Sequence, residues 1–200
     1  MIEVTTTTAS VSFLCLIPQE TVTAKEYTLS HTAVSELVRA NNQSTASNGV
    51  ILCQSYKESR AQGFSLGSGR NRRWYSPPLG TFNNASQGSV SHRGLMQVGP
   101  VAAQLGGLGN GQGEGLSDAR LQGVNPDYIN NIWDPASNIR AGTGYMQYLM
   151  DHYGTDVNGA LQRFRGSPGS ATAQAYASNI LDCAARVDAG DTLGGLGLIR

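Results

Sequence analysis

Apolar residues recur every three to four positions along much of the chain, which is the period of a helix that packs one face on a core. The first such segment begins near Thr32. A second begins at Asn48, a favourable N-cap residue, and runs to about Arg60. A short helix is expected around 101–105, whereas residues 1–30 read as an extended, threonine-rich segment.

Three further helices are predicted in the C-terminal part. Asp134 followed by Pro135 is typical of a helix start and Gly154 of a helix stop, so one long helix is expected between them. Thr155 is the expected cap of the next helix. The apolar positions of the last two helices are Val157, Leu161 and Phe164, then Tyr176, Ile180, Ala184 and Val187. No strand-rich segment or internal repeat is visible, so the predicted fold class is mainly α.

Polar and glycine-rich stretches separate these helices. Residues 61–93 form a basic loop without Asp or Glu, and residues 106–123 are rich in glycine. We therefore expect a lead segment with a short helix at 1–44, a helical domain with long glycine-rich loops at 45–187, and a flexible glycine-rich tail at 188–200.

Charge and hydropathy narrow the function classes. The 200 residues include 14 basic and 14 acidic residues, so the formal charge is zero. This balance argues against nucleic-acid binding over the whole surface, which needs a basic footprint. The apolar stretch 11–17 is too short to span a membrane and lacks the preceding basic residues of a signal peptide, so neither is expected.

The cysteines and histidines give no sign of a metal site or another cofactor. Cys15, Cys53 and Cys183 are widely separated and odd in number, which fits neither a zinc site nor a disulfide framework. They are expected to be free, partly buried thiols, with a Cys53–Cys183 bridge as the alternative. The three histidines are scattered, so no metal or other cofactor is expected.

Glu58 is the first candidate for chemistry, because it falls in the last turn of a predicted helix. The C-terminal end of a helix carries partial negative charge, which disfavours a carboxylate there. Burial in apolar surroundings would raise the pKa of Glu58 in the same direction. A carboxyl that stays protonated near neutral pH can act as a general acid. An ordinary exposed Glu is the alternative.

Three fragments, taken in order, resemble the soluble-type lytic transglycosylases, relatives of goose-type lysozyme. The first is Tyr56-Lys57-Glu58-Ser59, the second is Gly94-Leu95-Met96-Gln97, and the third is the helix that begins at Asp134 and carries Tyr145. The resemblance covers roughly residues 45–185 and implies a lysozyme-like helical domain. It also implies cleavage of peptidoglycan glycan strands between N-acetylmuramic acid (MurNAc) and N-acetylglucosamine (GlcNAc).

The resemblance also implies roles for individual residues. Glu58 matches the family's single catalytic glutamate, which first protonates the leaving oxygen and then deprotonates the C6 hydroxyl, giving a 1,6-anhydro end. Ser59 matches the serine that helps to hold this carboxyl. The expected sugar-contacting residues are Gly94, Leu95, Met96, Gln97, Tyr145, Phe164, Arg165 and Gly166. For Leu95, Met96 and Phe164, plain core packing is the alternative.

The chain departs from the family at Phe164-Arg165-Gly166, where Tyr-Asn-Ala-Gly is usual. Phe164 keeps the ring but lacks the hydroxyl, so a hydrogen bond near the catalytic carboxyl is expected to be lost. Arg165 adds a charge suited to a carboxylate of the peptide stem. The basic loop carries four more cations, which either are solvated or attract the anionic wall: Arg70, Arg72, Arg73 and Arg93. Trp74 and Tyr75 beside them are candidates for stacking on sugar rings.

Two other functions stay open. A hydrolytic muramidase would use a second carboxylate, for which Glu114, Asp118 and Asp127 are candidates. A non-catalytic peptidoglycan-binding module would account for the change at Phe164-Arg165. Because peptidoglycan lies outside the cytoplasmic membrane, the expected origins are an antibacterial effector delivered by a secretion machine, a phage enzyme, or a piece of a longer exported chain. An effector would need a cognate immunity protein that plugs the cleft.

Overall fold

The computed structural model describes residues 28–60, 64–66, 73–75, 82–83, 92–106 and 134–193. This part of the chain is mainly helical, as predicted. Its helices are α1 His31–Asn41, α2 Asn48–Arg60, α3 Pro100–Leu105, α4 Pro135–Tyr153, α5 Val157–Arg165 and α6 Ala171–Asp188. The predicted helices all form, and α2 ends with Glu58 in its last turn.

Side-chain caps set the ends of α4 and α5. The Asp134 carboxylate accepts a hydrogen bond from a first-turn amide of α4, and Gly154 ends this helix in the left-handed conformation, with φ 57°. The prediction that Thr155 caps α5 is wrong. The Thr155 amide still donates to the Met150 carbonyl at the end of α4, so the cap of α5 falls to Asp156.

Short strands lie in and around the segment that was predicted to be a polar loop. They are β1 Thr28–Leu29, β2 Phe64–Leu66, β3 Arg73–Tyr75 and β4 Phe82–Asn83. Strand β1 pairs antiparallel with β4, and β2 pairs antiparallel with β3. The polar loop predicted at 61–93 therefore contains short strands, within a chain that is mainly helical. Strands of two or three residues are too short to show the alternation that reveals a strand in a sequence.

The core forms where α6 packs along α2 and α5 packs on both α4 and α6. Helices α1 and α3 pack on α4. The largest fully buried apolar side chains are Phe82, Ile51, Leu95, Met96, Ile139, Met146, Leu161 and Ile180. Burial of each such side chain contributes about 1.5–3 kcal/mol. Leu193, which falls within the tail predicted at 188–200, is also buried, and residues 194–200 lie outside the described residues.

A disulfide joins Cys53 of α2 to Cys183 of α6. The expectation of free thiols is wrong for these two residues, and Cys15 lies outside the described residues. Both cysteines are buried, and their Cα atoms are 6.0 Å apart. The pair meets because each cysteine lies on the face along which α2 and α6 pack. A separation of 130 residues hides this proximity in the sequence.

Candidate active site

Glu58 is held by a tyrosine from the last helix. The Tyr176 hydroxyl on α6 donates a hydrogen bond of 2.6 Å to Oε1 of Glu58. Tyr176 is buried, whereas the Glu58 side chain keeps an accessible fraction. One carboxylate oxygen is thus fixed by the protein, in a side chain that solvent can still reach.

Burial raises the pKa of the Glu58 carboxyl above its usual value. The hydrogen bond from Tyr176 and the nearby charges of Arg165 and Lys57 lower this pKa in part, but the net direction is upward. Burial, together with the charge of Glu58, raises the pKa of Tyr176 well above 10. Tyr176 therefore stays a hydroxyl that can donate, and Glu58 holds its proton to a higher pH than an exposed glutamate.

Ser59, which was predicted to help hold the carboxyl, is fully buried at the end of α2. Its hydroxyl lies 3.5 Å from the Tyr56 carbonyl, to which it donates a long hydrogen bond. This contact lies within the last turn of the helix that carries Glu58.

The Gly94–Gln97 segment forms a tight turn closed by the two-way backbone pairing of Arg93 with Val98. Gly94 has φ 77° and Gln97 has φ 48°, both in the left-handed region. The Gln97 side chain donates to the Gly94 carbonyl at 2.9 Å. Glycine is favoured at the first of these positions because it carries no Cβ that would be strained there.

Asn138 of α4 fixes this turn from behind. Its side-chain oxygen accepts from the Met96 amide at 2.9 Å, and its side-chain nitrogen donates to the Arg93 carbonyl, also at 2.9 Å. Asn138 is fully buried. The fragment that begins at Asp134 thus positions the second fragment directly.

Leu95 and Met96 were predicted to contact sugars, but their side chains are completely buried in the core. They hold the turn in place and offer no accessible surface to a ligand. This agrees with the alternative prediction that Leu95 and Met96 pack in the core. Met96 lies so close to Gly142 of α4 that a Cβ at Gly142 would come within 2.5 Å of its sulfur. Gly142 therefore permits the close approach of the turn to the helix.

Tyr145 and Phe164 lie together, with ring centroids 5.6 Å apart, and both are partly buried. Arg165 follows Phe164 at the end of α5 and is exposed. Gly166 caps this helix with φ 127°. The structure therefore places Tyr145 beside Phe164, and places Arg165 where its charge acts on Glu58.

Arg93 is only 4% exposed, and its guanidinium donates to the carbonyl of the preceding residue. Its prediction as a solvated or wall-attracting cation is therefore wrong. Arg73, Trp74 and Tyr75 form β3. The remaining predicted loop cations and candidate second carboxylates lie outside the described residues; they are Arg70, Arg72, Glu114, Asp118 and Asp127.

Tyr176 is a site residue that the sequence did not reveal, because its helical spacing places it on the apolar face of the last helix. The hydrogen bond that was expected to be lost with Phe164 is not missing, since Tyr176 supplies a phenol to Glu58 from α6. A signal was available, because a tyrosine at a buried helix position needs a partner for its hydroxyl.

The mainly helical fold, with the partly buried Glu58 at the end of α2, is consistent with a lysozyme-like helical domain. The family model described as "Transglycosylase SLT domain" matches residues 80–178, about half of the chain. The chain belongs to this family of lytic transglycosylases. The matched range begins after Glu58 and does not include it.

One solved structure to which the chain is similar is the complex of the 70-kDa soluble lytic transglycosylase with bulgecin A. It shares 15% identity over 82% of this chain, with a TM-score of 0.49. The present chain covers 25% of the length of that protein. A comparison with curated protein sequences gave no match.

The described residues contain no cluster of three or more His, Cys, Asp or Glu side chains that could hold a metal ion. In the same part of the chain, no helix has the length and hydropathy needed to cross a membrane.

Proposed function

We propose that this protein is a peptidoglycan lytic transglycosylase that cleaves the β-1,4 bond between MurNAc and GlcNAc with Glu58 as its catalytic acid and base. The observation that carries the proposal is the Glu58 carboxyl, whose pKa is raised by burial and which Tyr176 holds at one oxygen. Membership of the transglycosylase family supports the same reaction.

In the first step, the protonated Glu58 carboxyl donates its proton to the glycosidic oxygen. The bond between this oxygen and C1 of MurNAc breaks, and positive charge develops at C1. The acetamide of the same sugar stabilises that charge. A raised pKa serves this step, because a general acid works best when its pKa lies near the working pH.

In the second step, the Glu58 carboxylate takes the proton of the C6 hydroxyl of the same MurNAc. The C6 oxygen bonds to C1 and closes the 1,6-anhydro ring, which returns Glu58 to its protonated form. No water is consumed. The hydrogen bond from Tyr176 favours the carboxylate formed between the two steps, because hydrogen bonds to charged groups are stronger than neutral ones.

The glycan strand would lie along the partly exposed side of this site. Tyr145, Phe164 and Gly166 are the proposed sugar-binding residues, with Gly94 and Gln97 of the tight turn contributing to the wall. Arg165 is the proposed partner of a substrate carboxylate, because it is exposed and no carboxylate among the described residues pairs with it.

The test is mass spectrometry of purified peptidoglycan digested by the wild type and by Glu58→Gln. The proposal expects 1,6-anhydro ends from the wild type and no products from the variant. Reducing ends, heavier by one water, would instead identify a muramidase. Binding without cleavage by both folded proteins would identify a wall-binding module.

For the setting, we propose action in the periplasm or cell wall, outside the cytoplasmic membrane, as an exported antibacterial effector. The buried Cys53–Cys183 disulfide supports an oxidising compartment, because structural disulfides are rare in the cytosol. The proposed partner is an immunity protein that occupies the cleft at Glu58. Affinity capture from the native host tests this, and repeated capture without any inhibitor of wall cleavage would contradict it.

A further inference from the structure

A buried glutamine lies one helical turn before Glu58. Gln54 is on α2 at position i−4 from Glu58, so the two side chains leave the same face of the helix. Gln54 is 0% exposed. Within the described part of the chain, neither its amide nitrogen nor its amide oxygen completes a hydrogen bond.

An amide in this state destabilises the fold, because its lost contacts with water are not replaced. A leucine of similar size would avoid this cost. Unsatisfied buried groups in native proteins therefore call for an explanation, and one such explanation is a role in a functional site.

The neighbour of this amide is the Tyr176 hydroxyl. A hydrogen-bonding contact from the Gln54 side chain lowers the pKa of Tyr176, against the larger effects of burial and of Glu58, although this contact falls short of full hydrogen-bond geometry. The single hydroxyl proton of Tyr176 is directed at Oε1 of Glu58. The Tyr176 oxygen is therefore left as an acceptor, and the Gln54 amide N–H is the donor placed to use it.

We propose that Gln54 is a positioning residue, which donates its amide N–H to the Tyr176 oxygen when Glu58 becomes a carboxylate and so keeps the Tyr176 proton directed at Oε1. The inference rests on the proposed function for its catalytic meaning. When Glu58 loses its proton, the Tyr176 hydroxyl is polarised and its oxygen becomes a better acceptor. The three side chains then form one chain of hydrogen bonds that stabilises the carboxylate between the two steps.

The first variants are Gln54→Leu, Gln54→Met and the matched control Ser55→Ala. Met is a second, unbranched replacement in case the leucine variant does not fold. Ser55 is an equally buried residue of the same helix with an unsatisfied hydroxyl among the described residues. The charged groups that act on Glu58, Lys57 on α2 and Arg165 on α5, are unchanged in all three variants.

The primary measurement is the titration of Glu58, followed by NMR of protein with ¹³C-labelled glutamate side chains. Both Gln54 variants should raise the pKa of Glu58 by about half a unit, because the carboxylate loses part of the support of one hydrogen bond. Thermal unfolding should show no loss of stability. Ser55→Ala should leave the titration of Glu58 as in the wild type.

The kinetic measurement is the pH dependence of peptidoglycan cleavage. The Gln54 variants should lose about 10-fold in kcat with little change in KM, the size expected for one weakened transition-state hydrogen bond. The basic limb of the profile should move to higher pH. In the Tyr176→Phe background, Gln54→Leu should produce no further shift, because the group through which Gln54 acts is gone.

Failure of this inference and failure of the proposed function are distinguishable. An unchanged Glu58 titration in both Gln54 variants, or additive effects in the double variant, would overturn the inference even if the wild type cleaves peptidoglycan. A shifted titration in a protein that produces no anhydro ends would support the coupling of Gln54 to Glu58 and overturn the proposed reaction.

Discussion

The Tyr176 hydroxyl lies 2.6 Å from Oε1 of Glu58, and this hydrogen bond joins residues that are 118 positions apart. It connects the last turn of α2 to the first half of α6, next to a pair of helices already linked by the Cys53–Cys183 disulfide. The position of the candidate acid is thus set by α6 as much as by its own helix.

Tyr176→Phe should lower kcat by about 10- to 100-fold, the range that corresponds to a lost hydrogen bond to a charged group. The pKa of Glu58 should rise further, because the variant lacks the Tyr176 hydrogen bond that partly opposes the effect of burial. The basic limb of the kcat/KM profile should therefore move to higher pH. Tyr148→Phe on α4 makes the same chemical change in a partly buried tyrosine and should leave the profile unchanged. Equal profiles for both variants would refute this role of Tyr176.

Glu58→Gln should abolish cleavage and stabilise the fold at neutral pH. Because burial raises the pKa of Glu58 above 4.5, folded protein holds this proton more tightly than unfolded protein does. The contribution of Glu58 to stability is therefore present below pH 4.5 and is lost as the pH rises through the folded-state pKa. Glutamine does not titrate, so the stability and the Tm of the variant should rise relative to the wild type as the pH increases towards 8.

Scanning calorimetry of both proteins from pH 4 to pH 8 checks this expectation. The difference in Tm should grow with pH. Glu36→Gln, a change at an exposed glutamate of α1, is the control and should show no growing difference. A difference in Tm between the wild type and Glu58→Gln that stays constant from pH 4 to pH 8 would contradict a raised pKa of Glu58.

The helices and the position of Glu58 were predictable because local signals determine them. Asp134, Pro135 and Gly154 mark the two ends of α4, and the apolar spacing of α2 places Glu58 in its last turn. The partners of Glu58 were not predictable in the same way. Tyr176 reaches the site only through the packing of α6 on α2, which no local pattern encodes.

Contacts between distant parts of the chain also explain the other differences between the sequence-based predictions and the structure. The disulfide depends on the distance between two helices, and the short strands depend on pairing across the chain, as between β1 and β4. The burial of Leu95 and Met96 follows from the two hydrogen bonds of Asn138, which draw the turn onto α4. The motif at 94–97 could be recognised in the sequence, but which of its side chains face the core could not be predicted.

Arg165→Gln should weaken binding to the anionic wall and leave binding to neutral sugars unchanged. The guanidinium is exposed, so its pairing with a substrate carboxylate is screened and a rise in KM of about 2- to 5-fold is expected on peptidoglycan. KM for neutral GlcNAc oligomers should stay the same. The control is Arg186→Gln, which removes an exposed arginine in the last turn of α6 that pairs with Asp191 beyond the end of this helix. Equal increases for both substrates would count against a carboxylate partner.

Removal of the disulfide by Cys53→Ser with Cys183→Ser should cost about 2–5 kcal/mol of stability, because the bridge closes a long loop of the unfolded chain. Urea unfolding measures this loss, and treatment of the wild type with a reductant should reproduce it. Cys15→Ser is the matched control and should unfold as the wild type does. A stability that is independent of reductant would show that the bridge does not form in solution.

Asn138→Ala should destabilise the fold by about 2–4 kcal/mol, because it leaves the Met96 amide and the Arg93 carbonyl without their buried partner. The turn would then no longer be held on α4, and KM for peptidoglycan should rise if Gly94 and Gln97 form part of the cleft wall. Asn158→Ala, at an exposed position of α5, should change stability by less than about 0.5 kcal/mol. Urea unfolding and steady-state kinetics of the two variants make the comparison. A stable Asn138→Ala protein with wild-type KM would show that the turn holds its shape without this side chain.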